Sequence, residues 1–390
     1  QYFVTDRRLA LSSLKAQFGG LAVDGVLTLL RPRGFNGGPP PSPGVIADID
    51  IEGSLDPERL LAIWPKRIAQ GAREWVEARL DAAIIDNLDF TMNLLPGAVR
   101  ADGGLPDEAL TLTFDARNGR ARYVEGMTPL RNGSGSGVLR GNSFVLTVDR
   151  AQVGEVAITK GEVAFPVFMP KWQPTYYRFN AVGSAQNILS ILDEAPLSLL
   201  SKVNLSPSQF SGDASAKVEI TRPNKSEAAP EEYGYSGTAT FKNMGIADLI
   251  GDIQFTNAAG TIDLKTRGMT VRANAELADD APIELVWRQN FYEQDGPSDI
   301  AISGVFSSST GDLFGVPTRQ FLRGPVAFDA KAVGDFGAFE TLDIKADFSG
   351  AALMVDALGW RKQTGAPASG ELAMTFNEEG VTISKLSVEG

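Results

Sequence analysis

The sequence predicts a mainly β, antiparallel chain with a few short helices, built as a sandwich, a barrel or a long curled sheet. Three observations carry this. Apolar and polar residues alternate with period two along most of the chain, Gly- and Asn-bearing turn signals punctuate the runs, and helical spacing is scarce. Successive strand side chains point to opposite sheet faces, so each such run has one apolar and one wet face. Strands buried on both faces would be apolar throughout, which is why the pattern reads as antiparallel.

In chain order, Val45, Ala47, Ile49 and Ile51 share one face, with Asp48, Asp50 and Glu52 on the other. The pattern recurs at Leu88, Phe90, Met92 and Leu94, at Leu110, Leu112 and Phe114, and at Phe144, Leu146 and Val148. It continues at Ala214, Ala216, Val218 and Ile220, and at Met269, Val271, Ala273, Ala275 and Leu277. Leu342, Ile344, Ala346 and Phe348, then Leu372, Met374 and Phe376, complete the series. Turn signals are Asp102-Gly103, Asn118-Gly119, Asn132-Gly133, Arg267-Gly268 and Glu379-Gly380. Gly133-Ser134-Gly135-Ser136-Gly137 lacks the GK[ST] ending of a phosphate loop and reads as a flexible hairpin turn.

Helices are expected in three places. Asp56-Pro57 supplies an N-cap and a first-turn proline before Glu58–Trp64. Pro65 interrupts, and Lys66–Leu80 puts Ile68, Ala72, Trp75, Val76 and Leu80 on one helical face, with Trp64 and Trp75 expected in the core. A second helix follows Ser184 before Pro196, and a third short piece spans Thr310–Phe314 and resumes at Thr318–Leu322 after Pro317. Gly53, Gly183 and Gly304 each end a strand ahead of such a helix, so the order of elements repeats every ~120–130 residues. The expected organisation is leading strands and a Pro/Gly-rich loop over 1–44, modules over 45–175 and 176–297, and a truncated module over 298–390. Gly37–Gly44 and the charged tip Arg222–Glu232 read as loops.

Composition narrows the function. At 390 residues the chain suits about two or three domains. It has no Cys and no His, which excludes disulfides, Ser–His–Asp and Cys–His catalysis and HExxH metal sites. With 36 basic against 48 acidic residues, the net charge of −12 argues against nucleic acid, whose phosphates need Lys and Arg. No uncharged stretch is long and apolar enough to span a bilayer, and the chain begins at Gln1 without a leader pattern. It therefore reads as an excerpt or a processed product, and any membrane anchor would lie outside it.

Few residues remain for chemistry. The acidic pairs Glu231-Glu232, Asp279-Asp280 and Glu378-Glu379 sit beside turn signals and point apart, unlike a glycosidase pair. Asp48, Asp50 and Glu52 lack a calcium-loop pattern and read as a wet face. Lys66, Arg67, Arg73 and Arg79 are interspersed with Glu74, Glu77 and Asp81, an ordinary charged helix face. No enzyme activity, cofactor or metal is expected.

Several segments form a recognisable set: Ile63-Trp64-Pro65-Lys66 with Ala72-Arg73-Glu74-Trp75-Val76, the strand around Phe90, Ala121-Arg122-Tyr123-Val124-Glu125-Gly126-Met127-Thr128-Pro129-Leu130, and Gly141-Asn142-Ser143-Phe144. Phe314-Gly315-Val316-Pro317, Arg323-Gly324-Pro325-Val326, Leu358-Gly359-Trp360-Arg361-Lys362 and Gly365-Ala366-Pro367-Ala368 extend it. In these segments the chain resembles the AsmA-like family of Gram-negative bacteria, specifically its YhdP branch. Where relatives carry a basic or Gly-rich turn after the Trp helix, this chain has Asp81-Ala82-Ala83. The resemblance implies a long curled antiparallel β-sheet forming a repeating β-groove, in a periplasmic, inner-membrane-anchored bridge protein that gives phospholipid acyl chains a hydrophobic path toward the outer membrane. The residues expected to line it are Leu88, Phe90, Met92, Leu110, Leu112, Phe114, Phe144, Leu146, Val148, Val271, Leu372 and Met374. Two alternatives stay open: a structural or adhesive envelope β protein with closed cores, and an envelope glycan hydrolase or lyase.

Overall fold

A computed structural model describes residues 2–5, 8–18, 20–31, 42–64, 66, 69–195, 200–201, 205–225, 228–250, 253–277, 281–291, 298–308, 310, 318–335, 338–356, 359–377 and 380–390. The chain divides into two units, residues 1–181 with 218–234, and residues 182–217 with 235–390. Strands dominate both. The first unit begins β1 Tyr2–Thr5, β2 Arg8–Phe18, β3 Leu21–Leu30, β4 Gly44–Glu52, β5 Leu80–Leu94, β6 Leu110–Ala121, β7 Leu130–Arg140, β8 Ser143–Val153 and β9 Val156–Phe165. Each pairs antiparallel with the next. The unit boundary falls within β10 Pro174–Ser184 and β11 Asp213–Pro223.

The second unit continues with β12 Gly234–Ile250, β13 Ile253–Lys265, β14 Gly268–Leu277, β15 Pro282–Asn290, β16 Ser298–Phe306, β17 Leu322–Arg323, β18 Val326–Asp335, β19 Ala338–Asp347, β20 Ala352–Val355, β21 Trp360–Lys362, β22 Ser369–Asn377 and β23 Gly380–Glu389. Its main ladder is antiparallel throughout and runs β12 to β16, then β18, β19, β22 and β23. The skipped strands β17, β20 and β21 form a separate small sheet. The fold is mainly β and antiparallel with short helices, as the alternation predicts.

Capping residues set where the helices begin. Asp56 caps α1 (Pro57–Ile63), its carboxylate accepting the Arg59 amide at 2.8 Å. α2 (Gln70–Arg79) is tied back by the Arg73 guanidinium, which donates to the Leu61 and Trp64 carbonyls. Ser184 caps α3 (Ala185–Asp193) through the Asn187 amide. Among the described residues no helix is long and apolar enough to cross a membrane.

Three expectations need correction. Trp75 is 47% exposed and α2 buries no residue, so its apolar stripe is not a core face. Leu80 starts β5 instead of ending the helix. Asn118-Gly119, Asn132-Gly133 and the Gly133–Gly137 run lie within β6 and β7, not at hairpin turns. Asn118 and Asn132 are left-handed (φ 54° and 53°) and coincide with register shifts. An extra left-handed residue makes a bulge, which bends and twists its strand. Asn87, Asn243 and Asn257 repeat the device at register shifts in β5, β12 and β13. By contrast Asp102-Gly103 does turn the β5–β6 loop, and β13 and β14 meet at Thr266-Arg267 ahead of Gly268. Arg222–Glu232 joins β11 to β12, as expected, with Lys225 paired to Glu232.

Compact packing is local. Leu21, Leu55, Ala83, Ile85 and Leu88 form one cluster, joined by Leu60 of α1. Phe241, Met244, Ala258 and Val271 form another with Ala185 of α3. A third joins Leu277, Ala281 and Ile283, and a fourth packs Leu322 and Leu353 of the small sheet, together with Ala351 and with Val326 of β18, against Phe306, Ala346 and Phe348. Pro65, Arg67, Ile68, Pro196, residues 311–317, Leu358, the pairs Asp279-Asp280 and Glu378-Glu379, and most of the Gly37–Gly44 loop lie outside the described residues.

Candidate functional site

Cross-strand partners point to the same face of a sheet, so the registers trace side-chain rows across each ladder. In the first unit one row reads Gly25, Ile49, Phe90, Leu112, Leu139, Phe144 and Phe165. Beside it run Leu27, Ala47, Met92 and Leu110 on one flank, and Phe114, Gly137, Leu146 and Val163 on the other. Not one polar side chain interrupts these rows.

The second unit repeats the arrangement over nine strands. Ala239, Ile262, Val271, Trp287, Ile300, Ala332, Leu342, Met374 and Ile383 form one row. Phe241, Gly260, Ala273, Leu285, Ile302, Ala330, Ile344, Leu372 and Leu386 form the next. A third runs Ala275, Ile283, Gly304, Phe328, Ala346, Gly370 and Val388.

All twelve residues expected from the sequence sit on these faces. Leu88, Leu110 and Val271 are buried, whereas Phe90, Met92, Leu112, Phe114, Phe144, Leu146, Val148, Leu372 and Met374 are half-buried. Half-burial is the state of side chains that shield one another and their own backbone without a full second layer. α1 and α2 touch β5, and Leu60 of α1 packs on the cluster that includes Leu21 of β3. On β23 the row residues Val381, Ile383, Leu386 and Val388 are 53–72% exposed. Leu139, Val163, Leu285, Trp287, Ile300, Ile302 and Phe328 were not foreseen. Alternation at Ile283, Leu285 and Trp287 could have found three residues of that face, but glycines within the rows carry no such signal.

The opposite face is charged and internally paired. Arg178 is held between Glu162 and Glu219 and lies over the Tyr176 ring at 4.7 Å. These two hydrogen-bonded carboxylates raise the guanidinium's pKa further. The Arg117 hydrogen bond, then that of Ser54, holds Asp86 below the usual carboxylate range. Lys385 does the same for Glu371. Asp24, Asp50 and Asp89 form a row of like charges, with Lys15 on Asp24 at 3.1 Å. Lost hydration, then the Asp89 hydrogen bond and the neighbouring carboxylates, push Asp50 upward. Arg73 and Arg79 pair with Glu77 and Glu125, an ordinary charged helix face.

Each unit thus offers an apolar face backed by a charged one. Neither the curated proteins nor the solved structures contain a match to this chain. The family model described as YhdP protein matches residues 6–384, spanning both ladders. The chain belongs to the YhdP family.

Proposed function

We propose that the apolar face is a trough for phospholipid acyl chains. In this reading the chain is a periplasmic segment of an inner-membrane-anchored protein that conducts lipid toward the outer membrane. The observation that carries the reading is the run of unbroken apolar rows over nine strands in the second unit, from buried Phe241 and Val271 to exposed Ile383 and Leu386 on β23. Two acyl chains of about 16 carbons cost roughly 25 kcal/mol to expose to water, at about 0.8 kcal/mol per methylene. A trough of this kind removes most of that cost while the headgroup stays wet. The process makes and breaks only apolar contacts, which suits a chain without His or Cys.

Charging the trough tests this. Phe90→Asp or Phe144→Asp, in protein confirmed as folded, should lower co-purifying phospholipid by ~10-fold or more, because an unpaired carboxylate costs several kcal/mol when chains cover it. Unchanged lipid content would contradict the trough and favour a closed structural β protein.

A further inference from the structure

Four glycines on the apolar faces share an unusual neighbour. Gly137 of β7 is paired with Phe114 of β6, and the three atoms nearest a Cβ built on Gly137 all belong to the Phe114 ring, close enough to collide. At Gly161 of β9 a Cβ would lie 2.7 Å from the Phe179 ring. At Gly260, paired with Phe241, it would lie 2.8 Å from the ring tip and would also strike the Arg272 carbonyl. At Gly370 of β22 it would lie 2.7 Å from Phe348. Two pairs belong to each unit.

The shared geometry is a ring laid sideways over the bare backbone of a neighbouring strand. Strand side chains otherwise stand roughly perpendicular to the sheet. A standing Phe would project into the space above the sheet, whereas a reclining one adds only the thickness of its ring. Covering a strand glycine with an aromatic ring also protects its backbone, so such pairs do stabilise sheets. Stability alone, however, does not require the pairs to lie on the apolar faces, as all four do.

Building on the trough reading, we propose that Gly137 and Gly161 are positioning residues. They keep the half-buried Phe114 and Phe179 flat and so set the depth left for an acyl chain. A methyl group at either lifts the ring into the trough. Gly260 and Gly370 serve closed packing instead, because Phe241 is buried with Ala185 of α3 and Phe348 packs against the small-sheet cluster.

The test uses the full chain with Gly137→Ala and Gly161→Ala, measuring phospholipid per folded molecule by mass spectrometry alongside the thermal midpoint. At subsaturating lipid each variant should lose about fourfold in occupancy per displaced methylene, equivalent to about 0.8 kcal/mol. Adding Phe114→Leu to Gly137→Ala should restore lipid, because the shorter side chain no longer has to rise. Gly71→Ala in α2, where a Cβ meets nothing within 4 Å, should leave lipid unchanged. Lipid unchanged in both glycine variants, or a loss that Phe114→Leu does not rescue, would overturn the depth-setting role while leaving the trough intact. A wild-type chain that carries no lipid would instead sink the trough itself, and this inference with it. If Gly137→Ala does not fold, Gly161→Ala alone decides, with Phe179→Leu as its rescue.

Discussion

Leu55 is 1% exposed, and its amide and carbonyl both bond Ile85 at 2.8 Å. It fastens the segment after β4 to β5 and joins the cluster of Leu21, Ala83 and Leu88. Leu55→Ala should cost about 2–5 kcal/mol, read as a lowered denaturant midpoint with unchanged slope. Asp50 makes a prediction of opposite sign. Its folded pKa is raised, so its favourable contribution is complete below the ordinary Asp range and is lost as pH rises through the raised value. Asp50→Asn should therefore raise the thermal midpoint at neutral pH, and the advantage should shrink on acidification toward about pH 4. An advantage independent of pH would show that the Asp24–Asp50–Asp89 row exerts no electrostatic strain.

Among the elements, the small sheet of β17, β20 and β21 depends on one buried cation. The Lys362 ammonium donates to the Phe348 and Ala351 carbonyls at 2.7 Å each and to Gln363 at 3.2 Å. Lys362→Met keeps the stem but orphans those acceptors, so it should cost about 1–3 kcal/mol. Hydrogen exchange should quicken first in 348–363. Element identity was largely legible: period-two runs became strands, and Asp56 and Ser184 marked helix starts. The failures share a cause. An Asn in the left-handed region suits a bulge as well as a hairpin turn, so Asn118-Gly119 and Asn132-Gly133 could not be separated from turns by local sequence. Within β7, Arg131-Asn132-Gly133-Ser134-Gly135-Ser136-Gly137 has no apolar alternation, because its partners Phe114 and Leu146 supply the apolar cover. Register decides that, and register is not local. Trp75 shows the converse, since helical spacing marks a stripe without saying that anything covers it.

At the scale of the molecule, each unit is a ladder whose neighbours in space are mostly neighbours in sequence, with apolar rows on one face and paired charges on the other. The candidate face was readable because alternation fixes which residues go together. Its continuity was not, because it arises only when nine strands fall into one register. The most direct measurement compares the two faces. A photoreactive side chain placed at Leu112 or Leu285 on the apolar rows should crosslink phospholipid in cells, while one at Thr113 or Val286, one residue along on the opposite face, should not. Equal yields from both faces, or none from Leu112 and Leu285 in folded protein, would contradict the trough.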